Sequence, residues 1–79
     1  MQLTCELVTE QPYEQMQQLF KTELERKHER SSITLQDRQG KAVFNINAQD
    51  TTSLRAAMNT ITSILGMYEK SKEALNGRQ

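Results

Sequence analysis

The spacing of apolar residues along this chain changes from two, to three or four, back to two twice, and finally to three or four again. Strict alternation over residues 2–8 puts Leu3, Cys5 and Leu7 on one face of a strand and Thr4 and Glu6 on the other. Thr9 and Gln11 are candidate helix caps, and Pro12 suits a first helical turn. Tyr13, Met16, Phe20 and Leu24 follow at helical spacings, with Leu19 widening the stripe, so helix one is expected from there to about Lys27. Alternation returns in SSITLQDR, where Ile33 and Leu35 share a face, and in KAVFNINA, where Phe44, Ile46 and Ala48 do. The short connection through Gln39 and Gly40 makes these two strands a hairpin, with Gly40 available for positive φ. Asp50, Thr51 and Thr52 form a capping cluster ahead of Leu54, Met58, Ile61, Leu65 and Tyr68, the apolar stripe of a second and longest helix. The expectation is an α+β fold, order β-α-β-β-α. Two helices pack on one face of a three-stranded antiparallel sheet in which strand one lies beside strand three. One domain is expected over residues 1–75, followed by a flexible tail over 76–79.

Size limits what such a fold achieves alone. A chain of 79 residues holds one domain, and a core in this range rarely supplies more than about 3–5 kcal/mol. Small domains add disulfides, a metal or another chain. Cys5 is the only cysteine and His28 the only histidine, so neither an internal disulfide nor a zinc-type cluster can be built. Association with other chains is left as the staple. Ten basic and ten acidic residues sum to no net charge, which disfavours nucleic-acid binding by the chain alone. The opening MQLTCELVTE lacks a basic region followed by an apolar one, and no apolar run approaches the roughly 20 residues that cross a bilayer. A soluble, reduced, cytoplasmic protein with no membrane partner is expected.

Two surfaces are left over. The sheet face away from the helices would carry Thr4, Glu6 and Val8, then Ser32, Thr34, Gln36 and Arg38, then Val43, Asn45 and Asn47. Only two of these ten are charged, which suits a face or edge that meets another chain; an ordinary polar face is the plainer alternative, since Thr is also a good strand former. We expect Thr4, Val8, Thr34, Gln36, Val43, Asn45 and Asn47, all uncharged, to form a dimer interface. Helix two carries a second strip of small or uncharged side chains, Ala56, Asn59, Thr60, Ser63 and Met67, that suits close approach of another helix. The outer side of helix one, with Gln15, Gln18 and Thr22, is likewise poor in charge.

No set of side chains assembles a catalytic constellation, and neither enzyme activity nor a cofactor is expected. Cys5 reads as a small core group on the inner face of strand one, and His28 as a cation near a helix end. Arg26, Lys27, Arg30, Arg38 and Lys41 would form a modest basic patch, but Glu25, Glu29 and Asp37 interleave with them. A stand-alone KH-like RNA module is the alternative reading. Such modules use a GXXG loop between helices, and none of Gly40, Gly66 and Gly77 is so placed.

The stretch from Arg30 to Lys72 carries a recognisable set of motifs. Arg30 and Ser31 open strand two, the hairpin ends in Ala48 and Asp50, and Leu54, Arg55, Ala56, Ala57 and Asn59 head helix two. This pattern resembles the RS, A-x-D and LRAA-x-N signature of the small dimerisation subunit of the KEOPS complex, the polarised-growth chromatin-associated controller family of archaea and eukaryotes. Glu29 stands where that family often has proline or a second arginine, and GMYEKSKEA is less apolar than its usual helix end. These departures suit a paralog that pairs with the main subunit rather than with itself. The resemblance implies a scaffold for a complex that makes threonylcarbamoyladenosine at position 37 of tRNAs reading ANN codons. In it a large ATPase-fold subunit performs the transfer, helices of the present family pack on that catalytic subunit, and the sheet dimerises. It further implies helix-surface contacts at Arg55 and Asn59 and tRNA approached only through the complex; of the basic patch read above, Arg26, Lys27, Arg30 and Arg38 are the candidates for such a contact.

Overall fold

The computed structural model describes residues 1–26 and 30–76, with side chains described as far as residue 72. Six elements follow one another: β1 Leu3–Pro12, α1 Tyr13–Leu19, α2 Lys21–Glu25, β2 Ser31–Arg38, β3 Lys41–Ala48 and α3 Thr51–Asn76. The strands form one antiparallel sheet in the order β1-β3-β2, so strand one does lie beside strand three. The expected α+β class holds, but the helices number three, in the order β-α-α-β-β-α.

The third helix arises because the segment read as helix one is interrupted at Phe20, whose backbone (φ −98°, ψ 10°) leaves the helical region. No proline or glycine stands there. Phe20 is fully buried and its ring meets Phe44 edge to face, centroids 4.6 Å apart, so the break coincides with the deepest anchor of the segment. The Phe20 N–H still donates to the Met16 carbonyl and the Leu24 N–H to that of Phe20, so α2 follows α1 with no loop between them. Lys27, expected near the end of this helix, and His28 lie outside the described residues.

Helix α1 also starts later than expected. Pro12 closes β1 in extended conformation (ψ 134°) and does not sit in the first helical turn. Pairing with β3 is regular from Leu3↔Ala48 to Val8↔Val43 and resumes at Pro12↔Lys41, so residues 9–11 oppose Ala42 alone. This wide bulge is closed by Thr9, whose hydroxyl donates to the Ala42 carbonyl (2.7 Å) and accepts from the Gln11 N–H (3.2 Å). Thr9 therefore holds the strand and is not a helix cap. The hairpin has Gln39 and Gly40 both at positive φ, 55° and 84°, the pattern of a type I′ turn. Asp50 caps α3 as expected: its Oδ1 accepts from the Ser53 N–H at 2.7 Å and its carbonyl from the Leu54 N–H at 3.1 Å.

Between sheet and helices the core gathers Met16, Phe20, Ile33, Ala42, Phe44, Ile46, Ala57 and Ile61. Each large side chain buried there contributes about 1.5–3 kcal/mol. Helix α3, 26 residues long, runs about 39 Å, well past strands of eight residues that span about 27 Å. The molecule is accordingly elongated, 50 × 25 × 19 Å, with a radius of gyration of 13.5 Å against about 11.6 Å for a compact chain of this length.

Candidate interaction surfaces

The helical layer covers the sheet incompletely. Helices α1 and α3 each touch all three strands, yet no Cα of α1 comes within 8 Å of a Cα of α3. They share the core cluster through Met16, Ala57 and Ile61, and the Tyr68 hydroxyl donates to Gln15 Oε1 at 2.6 Å. A shallow cleft between the helices is lined by Gln15, Gln18, Leu19 and Tyr68. Leu19, read as part of the inward stripe, is 40% exposed at its rim, and Leu54, Met58, Ile64, Leu65 and Tyr68 of α3 are only half-buried. The Lys72 ammonium lies 5.8 Å from the centroid of the Tyr68 ring.

On the side of α3 turned from the core, Arg55, Ala56, Asn59, Ser63 and Met67 are all exposed, Met67 by 65%. Gly66, also exposed, extends this strip; Ala56, Asn59, Ser63 and Gly66 recur at spacings of three, four and three, and of these four the sequence reading left out Gly66 alone. The Thr60 hydroxyl donates to the Ala56 carbonyl at 3.1 Å, folding its polar atom back on the helix. On the first helical pair Gln15, Gln18 and Thr22 are exposed, as expected of an outer side.

The outer sheet face brings together Thr4, Glu6 and Val8, then Ser32, Thr34, Gln36 and Arg38, then Val43, Asn45 and Asn47, in the register expected. Glu6 and Arg38 neutralise each other, and Lys41, which strand alternation places on this same face although the sequence reading did not count it, pairs with Glu10. Arg38 on β2 reaches across β3 to Glu6 on β1 with two bonds, Nη1–Oε1 3.2 Å and Nη2–Oε2 3.1 Å. The central Val43 lies on the strand this bridge crosses and has no exposed surface, whereas Val8 beside it is 65% exposed. Asn45 donates from Nδ2 to Gln36 Oε1 at 3.3 Å; Thr4, Thr34 and Gln36 are exposed, and Asn45 and Asn47 half-buried. Hydrogen bonding from Arg38 holds the Glu6 carboxyl below the usual carboxylate range.

Each described cation of the supposed basic patch lies against a carboxylate: Arg26 with Glu23 (3.7 Å), Arg30 with Asp50 (3.6 Å), Arg38 with Glu6 (3.1 Å) and Lys41 with Glu10 (2.9 Å). Lys27 lies outside the described residues. Asp50 is held below its ordinary range first by the Ser53 N–H, then by the Ser53 side chain, with Arg30 adding a smaller effect. Cys5 is half-buried against the core cluster. Among the described residues no group of three or more His, Cys, Asp or Glu is placed to hold a metal ion, and no helix is long and apolar enough to cross a membrane.

Comparison with protein-family models, curated proteins and solved structures finds no match for this chain.

Proposed function

We propose that this chain is a non-catalytic scaffold and dimerisation subunit of the KEOPS type, supporting threonylcarbamoyladenosine modification of tRNA by docking on the ATPase-fold catalytic subunit. The helix layer is the docking surface. The observation that carries this reading is the gap between α1 and α3, with Leu19 and Met67 exposed beside half-covered apolar side chains and a small-residue strip on α3. A helix pair that has finished packing buries its stripe; this one offers a cleft and a flat seam of the kind another helix fills. The sheet side meets a second copy or a paralogous small subunit, which is consistent with a face whose charges are paired within the chain, Glu6 with Arg38 and Lys41 with Glu10. The motifs at Arg30–Ser31 and Leu54–Asn59 supply the specific identity. Because the four described cations of the supposed basic patch, Arg26, Arg30, Arg38 and Lys41, each lie against a carboxylate, tRNA contact is assigned to the assembled complex and not to this chain alone.

The test uses positions whose side chains face solvent, so that folding is spared. Replacing Asn59 and Ser63 by Glu and Arg is expected to abolish co-purification with the catalytic subunit while leaving the circular dichroism spectrum unchanged. Undiminished co-purification removes the α3 surface from the account.

A further inference from the structure

Resting on the docking proposed above, we infer that Met67 is a site of reversible oxidation, at which peroxide converts the thioether to a sulfoxide and so releases the α3 surface from the catalytic subunit.

The chain has four methionines, and burial separates them. Met16 is fully enclosed in the core and Met58 is half-buried against it, whereas Met67 is 65% exposed and Met1, ahead of β1, 83%. Oxygen transfer requires the oxidant to reach the sulfur, so Met1 and Met67 react before the other two. Nothing in this chain shelters Met67 from the side of Gly66, where an added Cβ would meet no atom within 4 Å. Ser63, Lys70 and Ser71, its neighbours one helical turn away, are exposed as well. Of the two reactive methionines, Met67 alone belongs to the docking strip of Ala56, Asn59, Ser63 and Gly66.

With hydrogen peroxide the sulfur lone pair attacks one peroxide oxygen and the O–O bond breaks. The proton on the transferred oxygen passes to the departing hydroxide, which leaves as water. Sulfur is oxidised by two electrons, the peroxide is reduced by two, and a methionine sulfoxide reductase reverses the change. A thioether is apolar and flexible, suited to filling irregular space between two helices. The sulfoxide carries a strong acceptor instead, and an acceptor buried without a donor weakens binding about tenfold or more. A docked partner covers the sulfur, so oxidation acts on the free chain and bars it from docking.

The test treats the full chain with hydrogen peroxide, removes the peroxide and then titrates the catalytic subunit. Peptide mapping is expected to find one added oxygen on Met67 before any on Met16 or Met58, with the circular dichroism spectrum unchanged. Affinity should then fall about tenfold and return after treatment with the reductase. Met67→Leu should lose none of its own starting affinity on the same treatment; because each protein is compared with itself, the baseline of M67L does not enter. Cys5 is present in both proteins, so a loss through its thiol appears in both. In the preformed complex, oxygen addition at Met67 should slow while that at Met1 continues. Native protein and M67L losing affinity alike, or a Met67 sulfoxide that docks as tightly as the thioether, overturns the oxidation switch and leaves docking standing. An untreated chain that does not bind the catalytic subunit overturns both.

Discussion

Gln39 holds a left-handed conformation at the first position of the type I′ turn, where an L residue other than Asn, Asp or Gly is strained. Gln39→Asn is therefore expected to stabilise the fold by about 0.5–1 kcal/mol, seen as a rise of a few degrees in thermal midpoint. A second residue-scale effect concerns acid. Asp50 and Glu6 both have folded carboxyls held below their ordinary range, by the Ser53 amide and by Arg38 respectively. A depressed folded value means the unfolded chain binds protons more readily, so the stability these groups contribute is present above the ordinary carboxylate range. It is lost as pH falls through the folded values. The denaturant midpoint should be level at neutral pH and drop in acid. In Asp50→Asn combined with Glu6→Gln, that drop should be smaller; an equal drop would assign the acid sensitivity elsewhere.

At the scale of elements, the wide bulge in β1 depends on a single hydroxyl that replaces ladder bonds at Ala42 and Gln11. Thr9→Val keeps the shape and removes both bonds, so it should cost about 1–2 kcal/mol in urea unfolding. A Thr9→Val protein as stable as the parent would show that water replaces the hydroxyl. Both the bulge and the length of β1 were illegible in the sequence for the same reason. Residues 9–12 have no period, and Pro12 suits a strand end as well as a helix start. The break at Phe20 was hidden because it is set by burial against Phe44 and not by a helix breaker. By contrast, β2 and β3 were readable with their bounds and hairpin, and α3 was readable as the longest element with its start at the Asp50 cap, its apolar stripe being followed to Tyr68. The candidate surfaces were readable in which residues share a face, since that follows from period alone. How covered each one is was not. Val43 on the outer face has no exposed surface, and Leu19 is 40% exposed on a helix, α1, that stands off from α3.

As a whole molecule, the chain is a thin two-layer unit with an overhanging helix and a half-covered apolar layer. Its own core is small enough that one large deletion should exhaust it. Phe20→Ala removes the aromatic contact to Phe44 and should cost about 3–5 kcal/mol, comparable to the entire stability expected of a core this size. The isolated variant should be largely unfolded by circular dichroism, and addition of the partner that covers the helix layer should restore helix content by mass action. Recovery absent at saturating partner would mean that the covered surface does not contribute to folding. The most direct measurement is the solution mass of the purified chain, alone and mixed with the ATPase-fold catalytic subunit. The account predicts a single co-migrating species in the mixture, heavier than the catalytic subunit by at least 9.1 kDa, and for the chain alone a mass of twice 9.1 kDa where a second copy is the sheet partner. A stable 9.1 kDa particle at every concentration, eluting apart from the catalytic subunit, would contradict it.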